Sequence, residues 1–100
     1  MEFLVLAYDG TDEGAPARRL AAREAHLAGV KSMVADGRMQ IGGAILDDSG
    51  RMIGSMTVVT FPDRAAVDAW IAEDPYVKGG VWQRVEVQPF RVAVKAGATG

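Results

Sequence analysis

The chain has 100 residues, of which 49% are hydrophobic and 24% charged, and its formal net charge is −2. This length suits one domain, and the composition is typical of a folded globular protein rather than a disordered or fibrous one. The 11 basic residues are scattered among 13 acidic ones, which argues against nucleic-acid binding. No cysteine is present, which excludes disulfides and thiolate metal sites.

The N-terminal segment is apolar and then acidic, unlike a signal peptide with its basic leader. No apolar run approaches the roughly 20 residues that a transmembrane helix needs. We therefore expect a cytoplasmic protein, with one domain over residues 1–95 and a flexible tail over residues 96–100.

The first half of the chain predicts a strand, a long helix and a second strand. The continuous apolar run Phe3–Tyr8 is typical of a central strand buried on both faces. After Pro16, the helix-favouring segment Ala17–Ala35 predicts one long helix. Met39–Leu46 predicts the next strand, with a bulge or a close approach at Gly42–Gly43.

The second half predicts strand, helix and strand. Turn residues at Asp47–Gly50 indicate a hairpin into a strand over Arg51–Phe61. A second helix begins at Pro62–Asp63 and ends at Glu73, and Val81–Val94 alternates as a half-exposed strand does. The order β-α-β-β-α-β predicts an α+β fold, a ferredoxin-like sandwich with both helices on one sheet face. The other face stays partly apolar, so we expect a homodimer that pairs two sheets.

The long helix carries the only histidine, His26. Helical spacing places four aliphatic side chains on one face, namely Leu20, Leu27, Val30 and Val34. Arg23 falls inside this aliphatic sector of the helix. The shoulder of the sector is lined by Arg19, His26 and Met33. A buried guanidinium must meet a carboxylate, carbonyl groups or a bound anion. The pattern predicts a polar pocket for a small acid or an oxyanion. Alternatively, His26 is a structural hydrogen-bonder, and Arg23 pairs with Asp36 or Glu24 on the surface.

Asp74 and Ser55 are further candidates for this pocket. Pro75 forces an extended conformation at Asp74, whose carboxylate either reaches His26 and fixes its tautomer or caps the helical turn that follows. Ser55 follows Gly54, which leaves room for a ligand, but a strand serine often faces solvent.

Five segments together resemble the YCII-related (YciI-like) family: Arg23–Leu27, Gly42–Ala44, Gly54–Ser55, Ala72–Tyr76 and Val85–Phe90. The resemblance implies a dimeric α+β barrel with a histidine–aspartate pair that falls on His26 and Asp74. One relative is a dehydrochlorinase of a chlorinated hydroxyquinol, which implies proton transfer on small cyclic compounds without a cofactor. Glu24 and Ala44 stand where the family often has proline, which leaves the substrate open.

The leading hypothesis is therefore a cofactor-independent lyase or isomerase-like enzyme without a metal. His26 serves as general acid and base, Asp74 orients it, and Arg23 and Ser55 hold an anionic substrate. The alternative is a non-catalytic dimeric module that binds a small metabolite. A third reading makes His26 and Asp74 a purely structural tie.

Overall fold

The computed structural model describes residues 1–96 as helices packed on one face of a β-sheet. The elements are β1 (Glu2–Asp9), α1 (Ala15–Ala35), β2 (Met39–Leu46), β3 (Met52–Thr60), α2 (Arg64–Glu73), α3 (Pro75–Lys78) and β4 (Trp82–Phe90). The strands form one antiparallel sheet in the order β2-β3-β1-β4. This arrangement confirms the predicted ferredoxin-like α+β fold. The predicted flexible tail lies, apart from residue 96, outside the described residues.

β1 is the central strand that the apolar run predicts, but only one of its faces is fully covered. Phe3, Val5 and Ala7 point to the helices and are at most 2% exposed. Leu4 and Leu6 point to the opposite face and are half-buried, because no helix covers that side of the sheet. Alternation in burial along β1 thus replaces the predicted burial on both faces.

The helix side of the sheet holds two groups of buried side chains. One group, beneath α1 and α2, consists of Phe3, Val5, Met33, Met39, Val59 and Val67. The other consists of Ala7, Tyr76, Val81 and Trp82. The second group supplies the aromatic side chains next to His26, so the packing of α3 and β4 builds the surroundings of the candidate site.

The glycine pair in β2 does not form the predicted bulge. Gly42 and Gly43 pair in regular register with Thr57 and Met56, and the register shifts lie nearer the two ends of β2. The alternative prediction, a close approach, fits Gly42, where an added Cβ would lie 3.3 Å from the sulfur of Met39.

Two further boundaries differ from the sequence prediction for local reasons. α2 begins at Arg64 because Asp63 is its N-cap and accepts a hydrogen bond from the Ala66 N–H at 2.9 Å. β4 ends at Phe90, short of the predicted Val94, because its partner strand β1 begins opposite, at Glu2. No helix within residues 1–96 is long and apolar enough to cross a membrane.

The close packing of β3 on β1 gives a test of this register. A Cβ on Gly54 would lie 2.5 Å from the carbonyl oxygen of Ala7. We expect Gly54→Ala to lower the free energy of unfolding by about 1–3 kcal/mol in urea denaturation, because the strands must move apart. In the control Gly29→Ala, the added Cβ meets nothing within 4 Å in α1, so stability should be equal or higher. Equal decreases in the free energy of unfolding in both variants would contradict the register.

Candidate functional site

α1 turns a different face to the sheet from the one that the aliphatic spacing predicts. Its buried side chains are Ala15, Arg19, His26 and Met33. Leu20 and Val34, predicted to be buried, are 66% and 55% exposed. The buried face of α1 is therefore the one predicted to be the shoulder of the aliphatic sector. It is buried because Arg19 and His26 both contact buried carboxylates there.

Arg23 is not the buried arginine of α1. Its side chain is exposed, at the rim of the cavity that His26 lines, so its predicted place in the apolar sector was wrong. It pairs with neither of the acidic residues considered from the sequence, and Asp36 instead pairs with Arg38. No ion pair of Arg23 is found within residues 1–96.

Arg19 takes the buried position and ties α1 to two strands. Its Nη1 donates to both carboxylate oxygens of Asp9, at 2.8 and 2.9 Å, and both side chains are 5% exposed. Its Nη2 donates to the Gly54 carbonyl at 3.1 Å and to Ser55 Oγ at 3.0 Å. The guanidinium therefore connects the end of β1 with the start of β3.

Ser55 faces the helices rather than solvent. Its Oγ is buried and accepts a second hydrogen bond from the indole N–H of Trp82 at 3.2 Å. Ser55 thus joins Arg19 and Trp82 in one buried network, which favours the pocket reading of this residue over the solvent-facing one.

His26 and Asp74 are in contact. His26 Nδ1 lies 2.8 Å from Asp74 Oδ1 and 3.1 Å from Oδ2, and both residues are buried. Asp74 Oδ1 also accepts the backbone N–H of Tyr76 at 2.8 Å, as the N-cap of α3. The two roles weighed for Asp74 therefore occur together. Because a carboxylate accepts, Nδ1 is the donor, which leaves Nε2 of the neutral ring to accept a proton.

Aromatic rings hold the imidazole in place. The His26 and Tyr76 ring centroids are 3.9 Å apart and nearly parallel, and Trp82 meets His26 edge-on at 5.5 Å. The guanidinium carbon of Arg19 lies 4.9 Å from the centroid of the Tyr76 ring. Burial raises the pKa of Tyr76, against the opposing charges of Arg19 and Arg23, so the phenol keeps its proton at neutral pH.

A cavity of about 160 Å³ opens between α1, β2 and β3. Its polar lining consists of Arg19, Arg23, His26, Ser55, Thr57 and Tyr76. An engineered protein cavity of about 150 Å³ holds one benzene molecule, so this space suits a single six-membered ring. A larger surface cleft, of about 540 Å³, contains neither His26 nor Asp74 and lies apart from this chemistry.

Three residues that line the cavity were not predicted from the sequence to belong to the site. Arg19 precedes His26 by seven positions, and Thr57 follows Ser55 by two, so helical and strand periodicity were available signals. Tyr76 gave no such signal, because its position depends on the short helix α3. Within the described part of the chain, no group of three or more His, Asp or Glu side chains is placed to hold a metal ion.

Comparisons with known proteins place the site in context. The family model of the YCII-related domain matches residues 1–91. Protein YciI of Escherichia coli is 33% identical over 97 residues, which cover 91% of this chain and 97% of that protein. An uncharacterized protein of Haemophilus influenzae is 39% identical over 80 residues, which cover 74% and 82%.

A solved structure extends the likeness. The 5-chloro-2-hydroxyhydroquinone dehydrochlorinase of Burkholderia phenoliruptrix AC1100, in complex with 2,5-dihydroxybenzoquinone, matches with a TM-score of 0.78 and 26% sequence identity. The match covers 91% of this chain and 94% of that chain. The similarity therefore extends over nearly the whole chain.

The buried ion pair of Arg19 makes a sharp stability prediction. Asp9→Asn leaves a buried guanidinium without its counter-charge, so we expect unfolding free energy to fall by about 3–5 kcal/mol in chemical denaturation. The control is Asp12→Asn in the exposed Arg18–Asp12 pair, which should leave stability close to that of wild type. The hydrogen bonds from Arg18 lower the pKa of Asp12 to about 2, so the control also removes an ionised carboxylate. Similar small effects of both changes would contradict the buried pair.

Proposed function

Because this chain belongs to the YCII-related family, we propose that it is a cofactor-independent lyase or isomerase-like enzyme in which His26 and Asp74 carry out proton transfer. The single observation that carries the proposal is the 2.8 Å contact between His26 Nδ1 and Asp74 Oδ1, beside a cavity that His26 lines. A buried carboxylate behind an imidazole fixes its tautomer and stabilises the imidazolium that forms during proton transfer.

The proposed chemistry uses His26 Nε2 as the reacting atom. Nε2 takes a proton from the substrate, and the positive charge that develops on the ring is stabilised by Asp74. In a dehydrochlorination, chloride departs with the electron pair of the broken C–Cl bond, and the proton on His26 passes to solvent. In an isomerisation, His26 returns the proton to a second atom of the substrate. Stacking on Tyr76 holds the imidazole plane in one orientation throughout this exchange.

The substrate we propose is a small hydroxylated ring compound. The cavity volume of about 160 Å³ accommodates one six-membered ring. The similar solved enzyme is a dehydrochlorinase of 5-chloro-2-hydroxyhydroquinone and was captured with 2,5-dihydroxybenzoquinone. In our proposal, Arg23 at the rim attracts an anionic substrate, and Ser55 contributes to its binding inside.

We also propose that the protein acts as a homodimer. The sheet face opposite the helices exposes Ile41 and leaves Leu4 and Leu6 half-buried, which is an apolar surface of the kind that a second sheet covers. Cytoplasmic localisation stays a prediction from the sequence.

Replacing the proposed general acid and base should abolish turnover. We expect His26→Ala to lower kcat by about 10²–10⁴-fold, because that is the usual contribution of a positioned general acid or base. The assay follows 5-chloro-2-hydroxyhydroquinone and related hydroxylated rings by absorbance, while circular dichroism checks that the variant is folded. Full activity in the folded variant would contradict the proposal.

Asp74 requires a variant that separates its two roles. Asp74→Asn keeps an oxygen that can accept the Tyr76 N–H but loses the negative charge beside His26. We expect kcat to fall by at least tenfold with near-normal thermal stability, whereas Asp74→Ala should also lose about 0.5–2 kcal/mol through the missing cap. If ring compounds bind to wild type but none is converted, the protein is a binding module and the enzyme proposal is wrong.

A further inference from the structure

Two buried polar atoms have no hydrogen-bond partner within residues 1–96: Nε of Arg19 and Oγ1 of Thr57. Both residues are only 4% exposed, and both line the cavity that His26 lines. A buried polar group without a partner costs about 1–3 kcal/mol, so native proteins rarely keep one without a use. Two such atoms on residues that line the same small cavity favour a bound acceptor beside them.

Ser55 adds a third donor to the same wall. Its Oγ already accepts two hydrogen bonds, from Arg19 Nη2 and from the indole of Trp82. A hydroxyl has two acceptor positions and one proton, so the Ser55 proton must be donated elsewhere. The only hydrogen bonds found for this hydroxyl in the described chain are those two, so its proton has no acceptor there, and Ser55 lines the cavity.

The charges around the cavity favour a negative ligand. The two nearby carboxylates are already engaged, Asp9 by Arg19 and Asp74 by His26, and neither lines the cavity. Arg23 lies at the rim and lacks an ion pair within residues 1–96. The residues that line the cavity therefore include hydrogen-bond donors and, at the rim, one positive charge without an ion pair.

We infer that Thr57, Ser55 and Nε of Arg19 form an oxyanion subsite that binds a negatively charged oxygen of the substrate, and that Thr57 sets the preference for ionised over neutral ring compounds. The inference rests on the proposed function in that the ligand of this subsite is the substrate of His26. Hydrogen bonds to a charged oxygen are roughly twice as strong as those to a neutral one, which gives the subsite its selectivity.

The test removes only the hydroxyl of Thr57. Valine has the same shape, and Thr57→Val deletes an unpartnered buried hydroxyl, so the melting temperature without ligand should be unchanged or higher. If the hydroxyl had a structural role, Thr57→Val would lower the melting temperature instead. Thr57→Ser retains the hydroxyl. Thr60→Val removes a hydroxyl at the C-terminal end of β3, which accepts a hydrogen bond from Gln40 Nε2. These two variants are the matched controls.

The ligand probes are 4-nitrophenolate, at a pH that keeps it ionised, benzoate, and the neutral compound nitrobenzene, each titrated by calorimetry. We expect Thr57→Val to lower the affinity for the bound anion by about tenfold to hundredfold, and to leave the affinity for nitrobenzene nearly unchanged. Thr57→Ser and Thr60→Val should bind all three as wild type does. Tighter binding of 4-nitrophenolate than of benzoate identifies a single ring oxygen as the group bound, and the reverse order identifies a carboxylate.

The inference is overturned if wild type binds neither anion, or if Thr57→Val weakens neutral and anionic probes equally. These outcomes are independent of turnover. Anion binding that depends on Thr57, without conversion of any ring compound, would keep the subsite and reject the proposed enzyme. Turnover that depends on His26 but not on Thr57 would keep the proposed enzyme and reject the subsite.

Discussion

Two ionisable side chains on the inner face of α1, Arg19 and His26, set the orientation of the helix, because each is buried against a carboxylate from another segment. Asp9 at the end of β1 meets Arg19, and Asp74 before α3 meets His26. The two contacts lie about two turns apart along α1 and so fix both its rotation and its position over the sheet. Strand β3, the short helix α3 and the aromatic packing are all arranged around them.

This orientation has a cost in hydrophobic burial. Full burial of one leucine or valine contributes about 1.5–3 kcal/mol, yet Leu20 and Val34 remain largely exposed. Buried ion pairs return little net stability compared with apolar packing of the same volume. The polar inner face of α1 is therefore explained better by the donors and the imidazole that it brings to the cavity than by the stability of the fold.

One side chain, Asp74, makes two separate contacts in the site. Asp74 caps α3 through the Tyr76 N–H, and the same oxygen receives His26. Because the cap fixes where α3 begins, it also places the Tyr76 ring against the imidazole. Changes at Asp74 therefore affect the tautomer of His26, its orientation and the local backbone, which is why charge and cap must be separated experimentally.

The sequence predicted the order of strands and the two longer helices because periodicity, turn residues and proline positions are local signals. It also brought His26 and Asp74 together, although through family resemblance rather than spacing. It failed on the inner face of α1, since aliphatic spacing takes no account of carboxylates supplied by distant segments. The same limit explains why Arg23 was chosen over Arg19. The unpartnered hydroxyl of Thr57 became visible only once its neighbours were known.

We propose that Asp74 holds His26 with its proton on Nδ1 and leaves Nε2 free for a substrate. His26 is the only histidine in the chain, so its ring nitrogens can be observed by long-range proton–nitrogen NMR without ambiguity of assignment. At a pH where the ring is neutral, we expect a protonated Nδ1 and an unprotonated Nε2. A ring protonated on Nε2, or one that exchanges between both forms as a free imidazole does, would contradict it.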